Sequence, residues 1–536
     1  MPLIDHFPEG YSPRKTQTLL LQELESLLKD TTKKYIVVRA PTGSGKSAIC
    51  TTISTFFRSQ GKKSYLLCSR KYLQTQYLDE YSKVYSNFWG KVNYTCPLIS
   101  ASCSGCPADN AVDPAAYMRF LRYNCTTKKV GDKCPYIVAR DAAKVADSSL
   151  LNFEAFMSNA LNGLWEERDI MLVDEAHCLA DRTVGFFEVK INPAWAKAPK
   201  RSKLGENIRV TSDSKEIKRV LSAYRLKVSS LQTAKLPVPR DLVNSINYLD
   251  TEGIEWVLDF PTSTFIPITL KPLLEKSLFK YTDKVILLSA TLTPNMCKEL
   301  GLNSKNSTYI EVESTFPTSK NTLLTVPSIG KLNRNSLEDS RKQLKIIKQI
   351  IKIRLANLGK RGIIHTVSYR LVEMLQLGIE SYTASISDED NAYTAENLGF
   401  IFHSKGTNLD SLLEKYKATE DAVLVTPSLN EGFDGKGGLL EWQILLKCPF
   451  PYMGEPRIKE LLKSKFGNVL FKERAIATLL QTLGRGIRTE EDTCVSYILD
   501  SNIVSVLNSC SSKTSKHYTS TSSYFKELWK TRKPTP

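Results

Sequence analysis

The stretch YIVVRAPTGSGKS, residues 35–47, constrains this chain more than any other. Its first five residues have an apolar, β-branched centre and read as a buried parallel strand. Small residues follow at once, and a lysine and a serine then open a helical pattern. Small residues between a strand and a helix let backbone N–H groups curl around an anion, and the helix N-terminus adds a favourable dipole. Strand, loop and helix in this order are what a phosphate-binding loop requires, whereas a Gly-rich turn with an exposed lysine is the bland alternative. Lys46 is expected to reach the β- and γ-phosphates of bound ATP and Ser47 to ligate Mg2+, with Ala40, Pro41, Thr42, Gly43, Ser44 and Gly45 around the phosphates. Ala40 stands where the generic pattern has its first glycine.

Three further short apolar runs read as buried strands of the same kind: Ser64–Cys68, Asp169–Val173 and Lys284–Leu288. A second set comprises Gly362–His365, Ala422–Val425, Gln443–Lys447 and Val495–Leu499. Helical patterns such as Thr16–Leu28 and Leu344–Leu358 separate most of them. Alternating strands and helices imply an α/β fold with parallel sheets, here in two lobes. A chain of 536 residues is too long for one core, which agrees with more than one domain. Two segments fit neither lobe. One is a cysteine-rich window, and the other, about residues 185–265, is polar, Lys-rich and helical in pattern, with no buried-strand signal. From Cys510 the chain is rich in Ser, Thr and Lys and reads as a loose surface segment.

Net charge is +17, from 73 basic and 56 acidic residues, which favours a polyanionic partner over a merely basic surface only when motifs agree. No run of eighteen apolar residues occurs and the N-terminal segment lacks the signature of a signal peptide, so no membrane partner and an intracellular, reducing compartment are expected. Clustered cysteines in such a compartment bind metal or do chemistry more often than they form disulfides. Five of the twelve cysteines, Cys96, Cys103, Cys106, Cys125 and Cys134, fall within 39 residues.

Three more motifs carry chemistry. DIMLVDEAHCL, residues 169–179, sets Asp174 and Glu175 at the C-terminal end of a strand, where parallel sheets bind ligands. Asp174 suits the Mg2+ shell and Glu175 suits orienting and deprotonating an attacking water. LLSATLTP, residues 287–294, ends another strand in Ser289 and Thr291. In the second lobe TPSLNEGFDGKGG, residues 426–438, follows a strand, and QTLGRGIR, residues 481–488, ends a helix. Arg485 and Arg488 have the spacing to place guanidinium charge on a γ-phosphate, a role worth about 10³–10⁵ in rate in phosphoryl transfer.

The ordered set APTGSGKS, CSRKYLQTQY, DEAH, SATL, NEGFD and QTLGRGIR resembles the superfamily 2 helicases of the XPD/DinG type over roughly residues 10–505. The resemblance implies an α/β fold of two RecA-like P-loop lobes, with an iron–sulfur insertion and a mostly helical arch-like insertion in the first. The implied division is residues 1–89, 136–184 and 266–315 for lobe one, 90–135 for the cluster domain, 185–265 for the arch, 316–510 for lobe two and 511–536 for a tail. NYTC (93–96) and CPYIVARDAAKVADSSLLNFEAFM (134–157) resemble the segments around the family's first and last cluster cysteines. Cys96, Cys103, Cys106 and Cys134 are then the favoured ligands of a [4Fe–4S] cluster, with Cys125 as an alternative to one of the middle pair and structural zinc as the alternative metal. Arg14 and Gln17 match an adenine-reading element, Asp434 falls in the nucleotide-binding motif of lobe two, and His177 is implied as a coupling residue, not a metal ligand.

The resemblance implies ATP-driven movement on single-stranded DNA with 5′→3′ polarity, opening of forked duplexes, and a monomer. Ser69, Arg70, Tyr72 and Gln76 are candidate strand contacts, with Tyr72 equally suited to a core. The alternatives are a nucleic-acid-stimulated translocase that separates no strands, a zinc-containing nucleic-acid-binding protein, and a P-loop kinase or transporter ATPase.

Overall fold

In a computed structural model the apolar runs become strands buried on both faces, because helices cover each side of the parallel sheets they form. The structure describes residues 1–96, 101–102, 134–197, 207–236, 238–314, 317–387, 393–427, 435, 437–487, 491–511 and 522–535. Two compact units result: Met1–Arg39, Gly45–Ile310 and Tyr452–Asn468 form the first, and Ala40–Ser44, Glu311–Pro451 and Val469–Pro536 the second.

The first unit holds a seven-stranded sheet in the order Ser307–Glu311, Tyr35–Arg39, Val285–Ser289, Ile170–Val173, Ser64–Cys68, Ser148–Asn152, Ser86–Phe88. The ladders from Tyr35–Arg39 through to Ser86–Phe88 are parallel. Arg39 pairs with Ser289, and Leu287 with Val173, so three strands carrying motifs are direct neighbours and end at one edge. The insertion at 185–265 differs from its expected strand-free pattern. Helices Lys215–Thr233 and Arg240–Leu249 accompany a four-stranded antiparallel sheet of Val189–Lys190, Thr264–Pro267, Glu255–Asp259 and Ile208–Thr211. EWVLD and TFIP are short and flanked by turn residues, and tertiary packing buries them. Helix Pro456–Leu462, expected in lobe two, groups with this first unit. Its Arg457, 1% exposed, donates Nε–H to the Pro267 carbonyl at 3.0 Å and pairs with the buried Glu299 carboxylate.

The second unit holds a parallel sheet in the order Phe400–Phe402, Val423–Thr426, Gly362–His365, Trp442–Leu445, Cys494–Ile498, Asn321–Thr325, Lys533–Pro534. The C-terminal segment is only in part the loose tail expected. Residues 512–521 lie outside the described residues, but helix Ser523–Lys530 buries Phe525, Leu528 and Trp529. These sit at i, i+3 and i+4, one helical face, and the chain then adds an edge strand beside Leu324 and Thr325.

Candidate active site

The phosphate loop leads into helix Lys46–Ser59, with Gly43 and Gly45 at φ values of 76° and 78° that side chains rarely adopt. Gly45 is constrained twice over: a Cβ there would lie 2.2 Å from Nε2 of Gln17. Gln17 is buried on the apolar stripe Gln17, Leu20, Leu21, Leu24 of helix Lys15–Lys29. Its Oε1 accepts the Arg14 backbone N–H at 2.8 Å, so its amide nitrogen is aimed at the loop. Gln17 thus lies against the phosphate loop at Gly45.

Asp174 follows strand Ile170–Val173 and is 3% exposed. Its Oδ2 accepts the Tyr77 hydroxyl at 2.9 Å and its Oδ1 accepts the Glu175 N–H at 2.8 Å. Burial and then the neighbouring Glu175 raise its pKa, while Lys46 and the Tyr77 hydrogen bond pull it back. Lys46 is therefore within electrostatic reach of Asp174. Glu175 adopts φ 49°, a left-handed conformation that costs a side-chain-bearing residue about 1–2 kcal/mol. That backbone turns its carboxylate toward His177, with Oε2 3.3 Å from Nδ1. His177 Nδ1 also lies 3.0 Å from Ser289 Oγ, and Ser289 Oγ accepts the Thr291 N–H at 3.1 Å. His177 thus brings the DEAH and SATL segments into direct contact. Among the described residues no group of three or more His, Cys, Asp or Glu is placed to hold a metal.

In the second unit Arg485 is 6% exposed, just past helix Lys465–Leu483. A Cβ on Gly435 would lie 2.7 Å from the Arg485 carbonyl, so Gly435 meets the GRG segment only because it has no side chain. Beneath them His365 bonds through Nε2 to Gln443 Oε1 at 3.1 Å, and Gln443 Nε2 donates to Ser496 Oγ at 2.9 Å. Because the Gln443 amide nitrogen is committed to Ser496, its oxygen faces the histidine, which donates from Nε2. Burial and then the Arg485 charge push the His365 pKa down to about 3, so the ring is neutral.

Arg488 and Asp434 lie outside the described residues, as do Cys103, Cys106 and Cys125. Cys96 ends the strand Thr95–Cys96, which pairs with Ala101–Ser102, and half-buried Cys134 precedes helix Pro135–Val145. Tyr72 is 48% exposed, which removes its reading as core filler, and Arg70 beside it is also exposed. Tyr77 was not among the expected site residues. Its signal is the spacing Gln74, Tyr77, Tyr81, a buried stripe on an otherwise polar helix.

Residues 10–204 match the family described as type III restriction enzyme, res subunit, and residues 353–520 match the helicase C-terminal domain. The ATP-dependent DNA helicase YoaA of Haemophilus influenzae is 23% identical, with 92% of each chain covered. Among solved structures, an XPD helicase is similar at a TM-score of 0.63 and 16% identity, covering 98% of this chain and 99% of the other. Xpd4 of S. tokodaii is similar at 0.59 and 14%, covering 92% and 97%. No helix among the described residues is long and apolar enough to cross a membrane.

One prediction concerns His365. With a folded pKa of about 3 against an ordinary 6.5, the unfolded chain binds a proton between those values that the folded chain does not. Stability must then fall on acidification below pH 6.5, by up to about 1.4 kcal/mol per pH unit for one proton. His365→Gln should make urea-unfolding free energies of the second unit less steep between pH 6.5 and 4.5, and an unchanged slope would contradict the buried neutral ring. The chain thus matches the res-subunit and helicase C-terminal domain families, is similar to an ATP-dependent DNA helicase along nearly its whole length, and shares the two-lobed fold of XPD helicases.

Proposed function

We propose that the chain is an ATP-dependent DNA helicase that moves 5′→3′ on single-stranded DNA and opens forked duplexes as a monomer. The observation that supports this reading most strongly is the convergence of Gly45, Lys46, Asp174, Glu175, His177 and Ser289 at one sheet edge, linked by contacts of 2.8–3.3 Å from Asp174 to Ser289. In this reading Gln17 reads adenine, residues 40–47 hold the phosphates and Glu175 takes the proton of the attacking water. Ser47 and the buried Asp174 are hard oxygen donors, and a carboxylate whose pKa burial has raised is one that a bound cation stabilises, so both fit Mg2+. Mg2+, when bound, neutralises charge on the phosphate oxygens. Arg485 and Arg488 are assigned to the γ-phosphate, and Asp434 to the nucleotide. His177, in contact with both Glu175 and Ser289, ties the state of the water-orienting carboxylate to the SATL strand.

The positively charged chain meets its strand through the exposed Arg70 and Tyr72 and the half-buried Gln76, chiefly by phosphate contacts and stacking, whereas Ser69, also expected there, is buried and leaves that set. Cys96, Cys103, Cys106 and Cys134 are proposed to hold a [4Fe–4S] cluster, which supplies a cross-link for a segment too small for a large core. Cys134 stands at the head of helix Pro135–Val145.

Lys46→Ala should lower strand-stimulated phosphate release by roughly 10²-fold or more while single-strand binding stays measurable. Full turnover in that variant would remove the site assignment. Anaerobically purified protein should be brown and contain about four irons per chain. A colourless protein with zinc and no iron would replace the cluster by a structural zinc site.

A further inference from the structure

Helix Lys71–Tyr81 joins two places of different use. Its first residues, with Arg70 before them, are exposed and belong to the tract assigned to the nucleic-acid strand. Its inner stripe, Gln74, Tyr77 and Tyr81, is buried. Gln74 fixes the helix to the sheet, donating from Nε2 to Asn87 Oδ1 at 2.9 Å and to the Phe88 carbonyl at 3.2 Å. Tyr77, 1% exposed, donates its hydroxyl to Asp174 Oδ2 at 2.9 Å. Its ring also meets Tyr85 edge-on at 5.9 Å, and the Tyr85 hydroxyl bonds Thr51 Oγ1 at 3.2 Å and Ser54 Oγ at 3.3 Å. Thr51 and Ser54 lie on the phosphate-loop helix. One rigid element of about 10 Å between Arg70 and Tyr77 thus touches the strand tract at one end and the buried carboxylate at the other.

A phenylalanine would fill the same apolar space. The hydroxyl adds a hydrogen bond to a charged acceptor, which is stronger than one between neutral groups and directional. A carboxylate with one oxygen held by Tyr77 and the other by the Glu175 N–H has little freedom to rotate. A displacement of helix Lys71–Tyr81 therefore reaches Asp174 directly, without passing through the backbone of the sheet.

We propose that Tyr77 is a positioning residue for Asp174, and that through it helix Lys71–Tyr81 reports occupancy of the strand tract to the nucleotide site. The inference rests on the function proposed above. It assigns strand stimulation of ATP turnover to one side-chain contact.

The test is equilibrium binding of a fluorescent ATP analogue to the full-length protein, titrated with Mg2+ with and without oligothymidylate, alongside phosphate release. In the unsubstituted chain Mg2+ should strengthen binding, and the oligonucleotide should shift the Mg2+ midpoint. Tyr77→Phe should leave nucleotide binding without Mg2+ unchanged, raise the Mg2+ midpoint by about tenfold and bring the stimulated-to-basal turnover ratio toward one. Tyr85→Phe, which removes a hydroxyl from the same aromatic cluster, should behave as the unsubstituted chain. An unshifted midpoint and full stimulation in Tyr77→Phe would overturn the proposal, as would equal losses in both variants, since packing would then be responsible. No Mg2+-dependent nucleotide binding in the unsubstituted chain would instead overturn the function on which the proposal rests.

Discussion

A carboxylate enclosed at the end of a parallel strand is the constraint around which the first unit is arranged. Asp174 is almost wholly removed from water, and burial alone would favour its neutral form. Two hydrogen bonds and the nearby Lys46 oppose that, and each comes from a different element: helix Lys71–Tyr81, the turn after Ile170–Val173, and the phosphate-loop helix. Sheet order brings them together. Ile170–Val173 lies between Val285–Ser289 and Ser64–Cys68, so the loops leaving these three parallel strands emerge at the same edge. The left-handed Glu175 fits this account, because a backbone cost of about 1–2 kcal/mol is retained where neighbours hold it.

The second unit applies related physics to a cation. Arg485 is buried, and a neutral histidine beneath it avoids a second positive charge in the same place. His365, Gln443 and Ser496 form a hydrogen-bonded chain across three adjacent strands, which sets the ring's donor atom and its orientation. Gly435 and Gly486 allow the loops on either side to approach: a Cβ on Gly486 would lie 2.4 Å from Cys494 Sγ. The position of Arg485 is thus determined by packing in which small residues matter as much as charge.

Strands with an uninterrupted apolar run were legible from the sequence. YIVVR, SYLLC and GIIH have the bounds that periodicity assigns them. FIF, STYIE and SSLLN are too short or too polar to stand out, and pairing with neighbours makes them strands. The arch-like sheet was missed for the same reason, and helix Ser523–Lys530 because flanking Ser, Thr and Lys masked a three-residue apolar face. Site residues in contiguous motifs were legible because a phosphate loop or a strand-end acid pair is a local device. Tyr77 was not, since its role depends on a contact 97 residues away. Gln17 was found through resemblance alone, yet a glutamine on the stripe with Leu20, Leu21 and Leu24 is a physical signal that could have singled it out.

In the proposed function, nucleotide turnover at this sheet edge drives strand separation. The direct measurement is ATP-dependent unwinding of a forked duplex carrying a single-stranded 5′ tail, with a matched 3′-tailed substrate and a non-hydrolysable ATP analogue as comparisons. The 5′-tailed fork should separate with ATP alone, with little separation of the 3′-tailed substrate or with the analogue. ATP turnover that strands stimulate but that separates neither substrate would contradict it, and would leave a translocase built on the same residues.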